Sequence, residues 1–290
     1  MPELPEVETL KRQLKVLRGK KIKSVKIGWP KMVQPFSVRQ FQSRVSGRSI
    51  DSIKRRAKTL IFGLDNKSYL AVHLRLTGQL IFQPSGDKLL IAGGHPQEGG
   101  TDNLPNKFTH IIITFSDNSV LYFNDMRKFG WMKLMSQIEL DEYSSRHGYE
   151  AVSASFTLDK FKGLINRYPN RKIKQLLLDQ KLIAGIGNIY ADESCFYAKV
   201  LPWRVVDTLS DSEIKKLFEG IKNILKLSIA KKGTSFKDYV HVDGNKGGFV
   251  PYLNVYGRQG EKCKRGKCCG VIQKTRLAGR GTRFCACCQK

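Results

Sequence analysis

The chain is poor in acid and, over most of its length, nearly without cysteine. Asp and Glu number 25 against 51 Lys and Arg, which leaves a formal net charge of +26 at pH 7. So large a deficit of negative charge points to a polyanionic partner, most often nucleic acid. A merely solubilising surface charge and an anionic membrane are the weaker readings. No apolar run reaches the roughly 20 residues that a membrane span needs. The start also lacks the basic segment and apolar core of a secretory signal. The chain therefore reads as intracellular and soluble, with no membrane partner. There is no internal repeat and no low-complexity tract. Before residue 263 the only cysteine is Cys195, so no disulfide framework runs through the bulk of the chain.

What is present is enough chain and enough core. With 290 residues, 41% of them hydrophobic, the sequence holds two medium domains, or two and a small module. Residues 3–18 predict a helix, because Val7, Leu10, Leu14 and Leu17 recur at spacings of three and four, and Gly19 supplies a stop. From Lys20 to about Met135 the pattern is one of short β runs: 22–27, 59–62, 69–73, 110–115 and 120–123, with a turn at Ser116-Asp117-Asn118. Such runs predict an antiparallel sandwich. Residues 84–106, rich in Gly, Pro, Asp and Asn, read as a long loop. After about residue 150 the texture becomes helical, at 158–165, 172–180 and from the capping box Ser210-Asp-Ser-Glu213 to about Ala230. The expected class is α+β and multidomain. Its parts are a β-sandwich with an N-terminal helix (1–135), a linker (136–150), a helical domain (151–250, with a loop at about 231–250) and a cysteine-bearing hairpin (251–290).

The first chemical feature is the start, Met1-Pro2-Glu3. Cells usually trim the initiator before a small second residue. The exposed Pro2 nitrogen is then a secondary amine, with an α-amine pKa near ~8. Such an amine attacks an aldehyde or a sugar anomeric carbon and leaves a cationic iminium, the intermediate of lyase chemistry. Glu3, beside it, can carry protons. Taken alone, the same residues also suit a helix start.

The second feature is the tail. Cys263, Cys268, Cys269, Cys285, Cys287 and Cys288 crowd the final stretch. In a reducing compartment such clusters bind metal rather than pair as disulfides. Two close pairs, Cys263 with Cys268 and Cys285 with Cys288, suit one tetrahedral Zn²⁺ of structural type, since four thiolates leave it no open position. Cys269 competes with Cys268 for the second place and Cys287 competes less well for the last. Cys268 is favoured because it closes the four-residue turn. Lys274, Arg276, Arg280 and Arg283 lie between the pairs and suit a phosphate contact.

Weaker signals accompany these. Gly185-Ile-Gly-Asn188 precedes a helix-like run, and backbone N–H groups at a helix start can bind phosphate. Lys58 follows Arg55-Arg56-Ala57 at the entry to a strand and suits an oxyanion or a phosphate. In Asp125-Met-Arg127-Lys-Phe129-Gly130, an aromatic wedge and an Arg two residues apart can fill a gap in stacked bases.

Taken in order along the chain, these pieces resemble the bacterial formamidopyrimidine-DNA glycosylase family. The pieces are Pro-Glu-Leu-Pro-Glu at the start, the Lys58 strand, His73-Leu-Arg-Leu-Thr-Gly78, Asp125-x-Arg127-x-Phe129-Gly130, Ile173-Lys174 with Leu177-Leu-Asp-Gln180, Gly187-Asn-Ile-Tyr190 with Glu193, Gly233-Thr-Ser235, Tyr256-Gly257 and the cysteine hairpin. The resemblance spans Pro2 to Lys290. It implies a β-sandwich, a helix-two-turn-helix domain and a zinc-finger hairpin, with duplex DNA held between the two larger parts. It implies a bifunctional glycosylase and abasic-site lyase of base excision repair that removes oxidised purines and cuts the strand by β,δ-elimination.

The resemblance also implies roles. Pro2 is the expected nucleophile at C1′ and Glu3 the acid/base. Lys58 is expected at the phosphate or base near the reaction centre, and Arg280 on the hairpin near the same chemistry. Glu6 and His73 are expected along the bound nucleotides, and Leu76, Arg127 and Phe129 in the gap left in the duplex. Lys174 and Asn188 are expected at phosphates beside the lesion, and Tyr239 in the loop that closes over the extruded base. Zn²⁺ on Cys263, Cys268, Cys285 and Cys288 is the one implied cofactor. A monomer in the bacterial cytosol is the implied setting. The chain departs from the family pattern at Leu76 (usually Met), at Lys232 (usually Gly), at Lys237 (usually Arg), at Cys269 (usually Gly) and in the four residues within the first cysteine pair. Two rivals share parts of the pattern. Endonuclease VIII, for oxidised pyrimidines, usually has Gly at the place of Leu4. A non-catalytic zinc-bearing nucleic-acid-binding protein would not need the Pro2-Glu3 start.

Overall fold

A computed structural model describes residues 1–86, 91–94, 103–234 and 248–290. Its contacts separate two units, Met1–Ser145 with Lys231–Val250, and Arg146–Ala230 with Pro251–Lys290.

The first unit opens with α1 (Leu4–Gln13), followed by a single 3₁₀ turn at Leu14–Leu17. The sequence predicts one helix here, and the apolar stripe does continue, with Leu14 and Leu17 fully buried. Their spacing of three suits the tighter turn, and Gly19 ends it at φ +83°. Then come β1 (Ile22–Ile27), α2 (Val38–Val45), β2 (Ile50–Arg56), β3 (Thr59–Leu64), β4 (Tyr69–His73), β5 (Gly78–Gln83), β6 (Ile91–Gly94), β7 (Thr109–Phe115), β8 (Val120–Asp125), β9 (Trp131–Met135) and α3 (Gln137–Ser145). Among the described residues the strands make two antiparallel sheets, in the orders β1-β7-β8-β5-β6 and β2-β3-β4-β9. Phe62, Leu70 and Val72 from one sheet meet Leu80, Ile111 and Phe123 from the other in one core, joined by Val7 and Leu10 of α1. This is the antiparallel sandwich expected from the succession of short β runs. Within 84–106, expected to be loop, Ile91–Gly94 forms a strand against β5; residues 87–90 and 95–102 lie outside the described residues.

The second unit contains β10 (Tyr149–Glu150), α4 (Leu158–Ile165), α5 (Ile173–Leu178), β11 (Ile183–Ala184), α6 (Asn188–Ala198), α7 (Asp211–Ala230) and the antiparallel hairpin β12 (Ile272–Leu277) and β13 (Arg280–Cys285). The capping box before α7 is formed from both sides: Ser210 N–H donates to Glu213 Oε2 at 2.8 Å and Glu213 N–H to Ser210 Oγ at 3.2 Å. Helix α6 is buried nearly all round, including Asp192 and Glu193. Carboxylates at such depth need partners, and theirs organise the site described below.

The contact grouping differs from the division expected from sequence. Lys231–Val250 groups with the sandwich rather than with the helices, and Pro251–Lys290 groups with the helices. The stretch expected as a linker is mostly α3 and β10.

Candidate functional site

In the first unit, Pro2 and Glu3 are buried at the head of α1, with Glu3 only 3% exposed. Pro5 stands in the first turn of the helix, where its missing N–H costs nothing. Glu3 N–H donates to Glu6 Oε2 at 3.0 Å, so the helix start is closed on itself. The other Glu6 oxygen, Oε1, accepts from Thr234 N–H at 2.9 Å and from Thr234 Oγ1 at 3.1 Å. Glu6 thereby holds the strand-like bridge between Thr234 and Gly248. Residues 235–247, including Tyr239 and Lys237, lie outside the described residues. Lys58 is buried in the two-residue turn between β2 and β3, where Arg56 pairs with Thr59.

The segments carrying Leu76, Arg127 and Phe129 share one anchor. Asp125, at the end of β8 and fully buried, accepts from the Thr77 hydroxyl, from Arg127 N–H at 3.1 Å and from Gly130 N–H at 2.6 Å. Thr77 Oγ1 in turn accepts from Arg127 N–H at 3.1 Å. The carboxylate therefore ties the turn bearing Leu76 to the turn bearing Arg127 and Phe129. Leu76 and Phe129 remain 37% and 53% exposed, although each is large and apolar. The Arg127 guanidinium lies 5.0 Å from the centre of the Phe129 ring. Gly130 is required at its place, because a Cβ there would stand 2.7 Å from Phe123 Cζ. His73 Nδ1 accepts from Arg75 N–H at 2.9 Å, and its ring lies 5.6 Å from that of Trp131. His110 Nε2–H donates to the Asp125 carbonyl at 2.9 Å, and burial holds its pKa below the ordinary value.

In the second unit, Lys174 is 1% exposed. Its Nζ donates to Thr282 Oγ1 at 2.7 Å and to the Gly281 carbonyl at 3.2 Å, and it lies 2.6 Å from Asp192 Oδ1, close as an ion pair though not aligned as a hydrogen bond. Asp192 Oδ2 also accepts from Arg283 N–H at 3.0 Å. Burial pushes Asp192 up to about 7 against the pull of Lys174, and burial likewise lowers Lys174. Asn188 Nδ2 donates to the Gly281 carbonyl at 2.8 Å. Lys174, Asn188 and Asp192 thus grip β13 from Gly281 to Arg283, beside Arg280, which is exposed at the tip of the hairpin. Glu193, 1% exposed, accepts from the N–H groups of Asn254, Val255 and Tyr256 at 2.9–3.1 Å, and burial raises its pKa.

The sulfur atoms of Cys263, Cys268, Cys285 and Cys288 lie within 4.8 Å of one another. Cys263–Cys288 and Cys268–Cys285 are 3.9 and 3.7 Å apart, close to the ~3.8 Å edge of a tetrahedron with metal–sulfur bonds of about 2.3 Å. Cys268, rather than Cys269, belongs to this set. The donor set fits a structural four-thiolate metal site.

Reading of the sequence missed Glu8, Thr77, His110 and Asp192 and gave Asp125 no role of its own. Each is buried and meets a partner outside its own element: Glu8 meets Arg55, Thr77 and His110 meet Asp125, and Asp192 meets Lys174 and Arg283, so no local pattern in the sequence flags them.

Comparison with known proteins bears on the whole chain. The sequence model of the formamidopyrimidine-DNA glycosylase N-terminal domain matches residues 1–132, and that of the formamidopyrimidine-DNA glycosylase H2TH domain matches residues 147–239. A relative from Carboxydothermus hydrogenoformans is 41% identical over 292 positions and one from Listeria innocua is 40% identical over 294, each covering 100% of both chains. Both carry the name formamidopyrimidine-DNA glycosylase. Among solved structures, Lactococcus lactis Fpg in complex with DNA containing an abasic site superposes with a TM-score of 0.85 at 34% identity, over 99% of each chain. The complex of the same protein with Fapy-dG DNA gives 0.85 at 34% identity, over 99% of this chain and 100% of that one.

Proposed function

The chain belongs to the formamidopyrimidine-DNA glycosylase family and is a DNA glycosylase and abasic-site lyase of base excision repair, and from this premise we propose how its residues divide the work. After removal of Met1, the Pro2 amine attacks C1′ of an extruded nucleotide and the damaged base leaves with the bonding electrons. Glu3 delivers the proton that opens the sugar, leaving an iminium between Pro2 and C1′. The cationic iminium acidifies the C2′ proton. Loss of that proton expels the 3′ phosphate, and a second elimination expels the 5′ phosphate. Lys58 and Arg280 serve the phosphates and the base near this centre, and Glu6 and His73 steady the bound nucleotides. Leu76, Arg127 and Phe129 fill the vacated stack, which offsets the few kcal/mol that extrusion costs. Lys174 and Asn188 act on the flanking phosphates by way of the hairpin they hold, and Tyr239 belongs to the segment that covers the base.

The observation that carries this reading is the buried Pro2-Glu3 start, closed by Glu6 at the head of α1. An exposed Leu76 and Phe129 tied to a single buried carboxylate is what a wedge requires. Zn²⁺ is the metal that the four thiolates suit, and bound there it would hold the hairpin rather than take part in the reaction. The substrate class is duplex DNA with oxidised purines, the working form a monomer and the setting the bacterial cytosol. Among the described residues no helix is long and apolar enough to cross a membrane.

Borohydride reduction in the presence of abasic-site DNA tests the chemistry. The trimmed chain should become cross-linked, Pro2→Gly should not, and Lys58→Ala should still do so. Absence of any adduct with trimmed protein overturns the assignment. Incision of 8-oxoguanine opposite C should exceed that of thymine glycol; the reverse preference would favour a pyrimidine enzyme.

A further inference from the structure

The six clustered cysteines sort into three sulfur pairs, and the metal set uses only two of them. The third pair, Cys269 and Cys287, has its sulfur atoms 3.9 Å apart with both residues exposed. Each is the immediate neighbour of a ligand in sequence, and neither belongs to the four-thiolate group. Gly270 explains why they meet. A Cβ on Gly270 would stand 2.6 Å from both Cys285 Sγ and Cys287 Cβ. The backbone after Cys269 is therefore pressed directly onto the second cysteine turn. Cys263 N–H donates to the Gly270 carbonyl at 2.8 Å and closes the first turn on itself, and Ile272 pairs with Cys285 at the end of the β12–β13 ladder, so the approach of the two turns does not rely on the outer thiols.

We propose that Cys269 and Cys287 are a disulfide site, oxidised by peroxide or by a low-molecular-weight disulfide while the four inner thiolates keep their metal. With peroxide, one thiol sulfur attacks an oxygen and becomes a sulfenic acid, releasing water. The second thiol then displaces the hydroxyl of that sulfenic acid as a second water, and the sulfur–sulfur bond forms. With a low-molecular-weight disulfide, two exchanges give the same bond and release two small thiols. The sulfurs must close from 3.9 Å to about 2.05 Å, which asks for side-chain rotation at two exposed residues. Cys263 and Cys285 are buried and Cys268 and Cys288 half-buried, and a bound metal would engage one lone pair on each of these four sulfurs and hold them inward. The outer pair is thus the accessible one.

The bond would join the two turns at the base of β12 and β13, the hairpin with Arg280 at its tip. It would close the loop that the metal otherwise closes, and a cross-link of this kind restricts the unfolded hairpin. The disulfide itself does not depend on the glycosylase reading, since it rests on the hairpin alone.

The test uses the full-length zinc-loaded chain. It is treated with hydrogen peroxide or oxidised glutathione, alkylated and mapped by mass spectrometry without reduction. The expected result is a linked peptide pair, Cys269 to Cys287, lighter by two hydrogens, with zinc content unchanged. Cys269→Ser and Cys287→Ser should each abolish the linked pair. Full alkylation of Cys269 and Cys287 after oxidation, or linkage to an inner cysteine with loss of zinc, overturns the proposal. In a second arm, EDTA is added and proteolysis within 251–290 is timed. The oxidised chain should be cut several-fold more slowly than the reduced chain, and Cys287→Ser should remove the difference. Equal rates would show that the bond does not secure the hairpin.

Discussion

The Arg55 guanidinium joins the helix that carries Pro2 and Glu3 to the turn that carries Lys58. Its Nε lies 3.0 Å from Glu8 Oε2, with the two side chains 7% and 11% exposed, and its Nη1 donates to the Ala57 carbonyl at 2.8 Å. Ala57 is the residue before Lys58 and takes the left-handed φ of +52°. A planar fork that reaches a carboxylate and a carbonyl at once is a task for Arg rather than Lys. The chemistry-bearing residues of the first unit are thus registered through a residue that touches no substrate in the proposed reaction.

Glu8→Gln should lower stability by about 1–3 kcal/mol near pH 7, the scale of hydrogen bonds to charged groups. Burial opposes ionisation of Glu8, but hydrogen bonds from Lys11 and Arg55 prevail and hold its pKa below 4.5. A depressed carboxyl contributes stability above its unfolded pKa and loses it as pH falls through the folded value. Urea unfolding should therefore separate the two proteins near neutrality and bring them together as pH falls through the depressed folded value. A gap that stays constant with pH would refute the electrostatic account.

Asp192→Asn should destabilise the second unit by about 3–5 kcal/mol, because it strands the buried Lys174 ammonium. Replacing both residues by apolar ones of similar volume should recover much of that loss, measured by thermal unfolding. If the double variant is as unstable as the sum of the single ones, the two side chains are not coupled.

Asp125→Ala removes the acceptor shared by Thr77, Arg127 and Gly130. Loosening of the Leu76 and Phe129 turns should cut incision of a base lesion by tenfold or more, about 1.4 kcal/mol or more of transition-state stabilisation. Borohydride trapping on an already abasic site in single-stranded DNA, where no stack must be filled, should suffer less. Equal losses on both substrates would contradict a wedge-positioning role.

Chelation of the metal should unfold the hairpin while leaving α4 to α7 folded, since its apolar cluster, Val255 and Ile272 with Phe196, is built around the cysteines themselves and is too small to replace the metal. Circular dichroism should retain the helical signal, and DNA affinity should fall. Hairpin amides that stay protected from hydrogen exchange after chelation would count against this.

Much of the fold was legible because it is local. The stripe in 3–18, the short β runs at 22–27 and 120–123 and the capping box at Ser210 each involve residues within a few positions of one another, and local backbone geometry governs them. The sandwich, the helical part and the cysteine hairpin follow from those patterns, whereas the Pro2-Glu3 start offers an amine and a carboxyl by residue type but taken alone also suits a helix start. Spacing favours Cys268 over its competitor Cys269, and the structure places Cys268 in the four-sulfur cluster. Glu6 and Thr234 are 228 positions apart, and Lys174 and Thr282 are 108 apart. No period in the chain connects such pairs. By itself the sequence determined the elements and the reactive residue types. Only the tertiary structure decided which charges are buried and which partners they meet, because desolvation is a property of the packed neighbourhood and not of the residue.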